Sequence, residues 1–72
     1  MNLRMLTNFL RVAECGSIKR AAAAANLAQP ALTRQIALLE EEFGAHLVVR
    51  HPRGVRLTEA GEQLRIYAER IL

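Results

Sequence analysis

A chain of 72 residues with a formal charge of +3 makes one domain at most, near the lower limit for folding without staples. About half of it (51%) is hydrophobic, which supports a small core, but a drug-sized cavity of roughly 300 Å³ or more would consume that core, so an independent enzyme is not expected. Cys15 is the lone cysteine and excludes an internal disulfide, no apolar run is long enough to span a bilayer, and the N-terminus lacks a signal pattern; a cytoplasmic protein is the expectation.

In chain order, Leu3, Leu6, Phe9, Leu10 and Ala13 recur at the spacing of an amphipathic helix, with Asn2 as its N-cap and Gly16 as its stop. Ser17 can cap a second, short helix whose inward face is Ile18, Ala21, Ala22 and Ala25. Methyl groups alone on that face allow a neighbouring helix to approach closely. Asn26 tolerates a left-handed backbone and turns the chain. A third helix begins near Ala28 or Gln29, with Pro30 in its first turn, where no backbone N–H is missed. Its buried stripe is expected to be Leu32, Ile36, Leu39 and Phe43, and Gly44 ends it.

From Ala45 the period shortens. Leu47, Val48 and Val49 suit one strand, and Val55 with Leu57 a second. His51-Pro52-Arg53-Gly54 between them reads as a turn, giving a small hairpin with an arginine at its tip. Thr58 then caps a last helix, with Glu59 and Glu62 near its positive end and Ala60, Leu64, Tyr67, Ala68 and Ile71 as its apolar stripe. No stop signal precedes Leu72, so the helix is expected to continue into a longer protein. The expected fold is mainly α with a small β-hairpin: a winged helix-turn-helix, with residues 1–58 as the binding domain and residues 59–72 as the start of a linker and dimerisation helix.

Two helices joined tightly at Asn26, the second with an outward polar face, describe a device for entering a major groove about 12 Å wide. Gln29 can form paired hydrogen bonds to adenine and Arg34 to guanine; Pro30 and Ala31 offer small apolar surfaces to a thymine methyl; Thr33 suits a base edge or a phosphate. Arg53 at the hairpin tip is placed to reach a narrow minor groove. Ser17, Lys19 and Arg20, at the start of the second helix, are candidate phosphate contacts, although Lys19 and Arg20 equally suit a solvated surface. Helix-turn-helix pairs also occur in domains that never meet DNA, so a protein-binding winged module stands as the rival reading. The acids Glu40, Glu41 and Glu42 gather away from the candidate groove readers. With His46 and His51 they lack compact metal-ligand spacing, and no catalytic or phosphate-loop motif occurs, so neither metal, cofactor nor catalysis is expected.

The runs Gly16-Ser17-Ile18-Lys19-Arg20-Ala21-Ala22 and Ala28 to Ile36, then Leu39-Glu40-Glu41-Glu42-Phe43-Gly44, Leu47, Arg50, Arg53-Gly54-Val55 and Leu57 to Gly61 together resemble the LysR-type transcriptional regulators. The likeness covers nearly the whole chain and keeps its spacing. It implies a bacterial transcription factor whose sensing domain for a small molecule lies further on. It also implies homodimers joined through the helix after the wing, tetramers built from them, and duplex DNA sites that are inverted repeats. Carried over by position, Gln29, Pro30, Thr33 and Arg34 fall where the family meets the major groove and Arg53 where it meets the minor groove. Ala28 stands where the family often has serine, and Thr33 keeps the hydroxyl of a commoner serine. How the last helix's stripe divides between its own core and a partner stays open from sequence.

Overall fold

The Asn2 side chain accepts the Met5 N–H at 2.8 Å and so starts α1 (Leu3–Cys15), which Gly16 ends in the left-handed region at φ 65°. The Ser17 hydroxyl accepts the Arg20 N–H at 3.1 Å and starts α2 (Ile18–Ala24). Asn26, at φ 60°, is the only non-glycine residue with positive φ and makes the turn into α3 (Gln29–Phe43). Strands β1 (Val48–His51) and β2 (Gly54–Leu57) pair antiparallel in the register Val48↔Leu57 to His51↔Gly54. Thr58 then caps α4 (Glu59–Ile71): its hydroxyl accepts the Gly61 N–H at 3.0 Å and donates to the His46 carbonyl at 2.6 Å. The computed structural model describes residues 1–72, within 23 × 23 × 20 Å. Three helices, a two-stranded wing and a closing helix are the winged helix-turn-helix that the sequence led one to expect.

The core draws on all four helices, on β2 and on the residue before β1. Leu6, Phe9 and Val12 of α1 meet Ile18, Ala21 and Ala22 of α2; Leu32, Ile36 and Leu39 of α3, Leu47, Val55, Leu64 and Ala68 complete it. Ala21 and Ala22 are fully packed, as their short side chains allow. Of the stripes expected on α1 and α3, Leu10 and Ala13 are only half-buried and two residues are exposed. Leu3 is 61% exposed and Phe43 is 45% exposed, because each sits in an end turn of its helix, beyond the neighbour that would cover it. Val12 is buried instead, and so is one polar side chain, Asn8. Ala25 caps α2 half-buried rather than belonging to its inward face.

The wing differs from its sequence reading in register. β1 begins at Val48 rather than Leu47, and Arg50 and His51 are strand residues, leaving Pro52 and Arg53 as the whole turn. Leu47 is a core residue whose carbonyl accepts the Thr58 N–H at 3.0 Å. A four-residue strand shows too few alternations for sequence to fix its start.

Candidate nucleic-acid interface

The α-helical turn sets which side of α3 faces outward. With 3.6 residues per turn, burial of Leu32, Ile36 and Leu39 leaves Pro30, Arg34 and Ala37 on the opposite face, all exposed. Gln29 and Ala31 are exposed beside them, and Thr33 is half-buried. Four of the five predicted major-groove readers, Gln29, Pro30, Thr33 and Arg34, line one open surface together with Ala37; Ala31 is exposed but does not line it. Ala28 at the N-cap supplies no side-chain hydrogen bond, as its lack of a hydroxyl requires, so the positive end of α3 is left open beside these residues.

Next to that surface lies a saddle. Ser17 and Lys19 from the start of α2, Gln29 from α3, and Arg50, His51 and Pro52 from the wing line one shallow groove. Arg20 is exposed on α2 but does not line it. Arg50 and His51 enter the groove because they belong to the strand; Arg50 carried part of the family resemblance but was not among the expected contacts, since its direction depends on the hairpin register. Arg53 stands exposed at the tip. Its backbone N–H donates to Nδ1 of His51 at 3.2 Å, which ties the turn to the strand below it.

Three contacts fix the wing against the rest of the domain. The Val55 N–H donates to the Gly16 carbonyl at 2.9 Å, joining β2 to the turn before α2. Gly54, at φ 136°, lies so close to that same carbonyl that a Cβ would not fit. At the base of β1, Glu40 Oε2 of α3 accepts the Leu47 N–H at 2.7 Å and the Val48 N–H at 3.4 Å. The outward face of α3 and the wing tip are thus held in one geometry by backbone and carboxylate contacts rather than by loop chance.

Charge is segregated along α3. The Glu40 to Glu42 run begins 11 residues after Gln29, about 16 Å along the helix axis. Arg65 is the only Lys or Arg side chain in an ion pair, with Glu62 at 2.8 Å and Glu69 at 3.1 Å. Its guanidinium pKa is raised by the Glu62 hydrogen bond first, then by the charges of Glu62 and Glu69. The cations flanking α3 and on the wing carry no such compensation. His46 Nδ1 lies 3.6 Å from Glu40 Oε2, and no three His, Cys, Asp or Glu side chains gather as a metal site.

The stripe on α4 divides. Leu64 and Ala68 are buried in the core of the domain, Ala60 is half-buried against it, and Tyr67 and Ile71 are 53% and 45% exposed. Tyr67 lines an apolar groove with Met1, Phe43, Ala45 and Ala60. The exposed Phe43 thus belongs to this outer surface.

A family model described as bacterial regulatory helix-turn-helix protein, lysR family, matches residues 3–62. Over 72 residues the chain is 46% identical to the nitrogen assimilation regulatory protein nac of Klebsiella aerogenes and 47% identical to the HTH-type transcriptional regulator IlvY of Escherichia coli strain K12. It covers 24% of each, so the chain spans about a quarter of the length of these curated relatives. Among solved structures, the CbnR DBD–DNA complex matches with a TM-score of 0.93 at 41% identity, covering 99% of this chain and 82% of that one. The BenM DBD complex with catB site 1 DNA matches with a TM-score of 0.93 at 42% identity, covering 99% and 80%.

Proposed function

The chain belongs to the lysR family of bacterial regulatory helix-turn-helix proteins, and from that premise we propose that it reads a specific duplex sequence as half of a symmetric dimer, controlling transcription. The observation that carries this reading is the open face of α3, bearing Gln29, Pro30, Ala31, Thr33 and Arg34, set beside a saddle lined by Ser17, Lys19 and Arg50. The likeness to two complexes with DNA supports the same docking.

In this mechanism α3 enters the major groove. Arg34 donates two hydrogen bonds to a guanine edge, Gln29 makes a donor–acceptor pair with adenine, and Pro30 and Ala31 meet a thymine methyl. Thr33, half-buried, serves a base edge or the phosphate next to it. The backbone between the major and minor grooves crosses the saddle, where Ser17 and Lys19 meet phosphates and Arg20 extends the same charged edge. The Ser17 hydroxyl, which already accepts the Arg20 N–H, keeps its own hydrogen for a phosphate oxygen. Arg53 continues into the minor groove beyond.

Dimerisation uses the outward part of α4, Tyr67 and Ile71, with Ala60 at its margin, while Leu64 and Ala68 hold α4 to its own protomer. Two-fold symmetry then requires an inverted-repeat site. Tetramers and the sensing of a small molecule are proposed on membership of the family alone.

Selection of random-sequence duplex DNA by the protein tests this reading. Enrichment of an inverted repeat is expected; retention of all sequences alike, or of none, refutes it. On the selected site, Arg34→Ala is expected to cost about 1–3 kcal/mol and to relax one base position. Equal weakening on every duplex would instead show Arg34 to be a phosphate contact.

A further inference from the structure

A helix in a major groove is bordered by two phosphate backbones, and the wing with the start of α2 serves only one of them. The helical turn separates the two flanks of α3. On one flank lie Gln29, which lines the saddle, and Glu40, which holds the base of the wing. On the other lie Gln35, which meets α1, and Glu42, which meets the chain just before it. Gln35 Oε1 accepts from Asn8 Nδ2 at 2.8 Å, and Glu42 pairs with the Met1 amino group at 3.0 Å. The second flank of the recognition helix therefore faces α1 and the two residues that precede it.

That α1 surface is polar and basic. Arg4, Thr7, Asn8 and Arg11 follow the i, i+3, i+4, i+7 spacing of one helix face. With Ala25 and Leu27, from the turn that leads into α3, they line a cleft at the end of the domain where the recognition helix starts. Asn8 is 3% exposed, and its carbonyl oxygen accepts from Arg11 Nη1 at 3.1 Å. A buried amide is costly unless both of its ends are bonded. Here one end holds α3 through Gln35 and the other holds the Arg11 guanidinium at the cleft, leaving most of its donors free. Neither Arg4 nor Arg11 has a carboxylate oxygen within 4.0 Å. A purely solvated stripe would not need its arginine braced by a buried side chain.

We propose that Arg11, braced by the Asn8–Gln35 pair, and Arg4 form a second phosphate clamp for the DNA backbone bordering the major groove on the side of α3 away from the wing. The clamp rests on the duplex-binding reading above. It contributes position and affinity, not sequence preference.

The test is the salt dependence of binding to a random-sequence duplex by the protein and by its Arg4→Gln/Arg11→Gln variant. Losing two phosphate contacts should make the slope of log affinity against log salt shallower by about 1.8. Between 50 and 200 mM salt the variant should then lose roughly tenfold less affinity than the parent. Arg11→Lys, which keeps the charge, should retain most of the parental slope. A variant with the parental slope and affinity overturns the clamp. A variant with that slope but altered sequence preference also overturns it, assigning Arg11 to the positioning of α3. A parent protein that binds no duplex at any salt would overturn the functional reading itself, and is told apart by needing no variant.

Discussion

Replacing Leu32 by alanine is expected to lower stability by about 2–5 kcal/mol, through lost burial and the cavity left behind. Leu32 is fully buried in the cluster that also holds Phe9, Leu39 and Leu47, so no single neighbour can collapse into the space. Domains of this size are stable by roughly 0.05–0.15 kcal/mol per residue, or about 4–11 kcal/mol for this chain. The substitution therefore removes a large part of the total. A urea titration should show a lower midpoint with an unchanged slope, since the surface exposed on unfolding hardly changes. Arg34, two residues on and exposed, should show the reverse when changed to alanine, with the midpoint kept and DNA affinity reduced. An unmoved midpoint for Leu32→Ala would contradict the orientation of α3, and with it the identity of the face offered to DNA.

That orientation was legible in the sequence because it depends on local signals. Asn2, Ser17 and Thr58 each cap the helix they precede, and Gly16, Gly44 and Asn26 take the positive φ that their chemistry permits. What periodicity could not supply was the length over which each stripe stays covered. Leu3 and Phe43 match their helices' pattern yet lie past the edge of the core, where Phe43 joins Tyr67 on an outer apolar surface. The stripe on α4 is continuous in sequence, and only packing on α1 separates Leu64 and Ala68 from Tyr67 and Ile71. The pairs that set the site's geometry were the least legible. Asn8 meets Gln35 across 27 residues, and either side chain alone reads as one that points to water. Glu40 belongs to an acidic run that reads as a solvated face, and the hydrogen bonds it accepts from Leu47 and Val48 emerge only when Gly44 turns the chain back.

Gly54→Ala is expected to cost about 2–6 kcal/mol, from backbone strain and from a contact that has no room to relax. Glycine at φ 136° occupies a region that side chains avoid, and the added Cβ would collide with the Gly16 carbonyl. That carbonyl belongs to the αL turn ending α1 and accepts the Val55 N–H at 2.9 Å. Backbone meets backbone, so no side chain can rotate away. Relief requires β2 to lift from the α1–α2 turn, which breaks that hydrogen bond and uncovers the buried Val55. A lifted wing also moves Arg53 and opens the saddle shared by Ser17, Lys19 and Arg50. Thermal unfolding and duplex binding should therefore fall together in this variant. Arg53→Ala provides the contrast, because it removes only the proposed minor-groove contact and leaves the Gly54–Gly16 packing untouched; its binding should weaken at the parental melting temperature. If Gly54→Ala instead melts with the parent, the wing is not seated on Gly16, and the fixed spacing between α3 and the wing tip loses its structural basis.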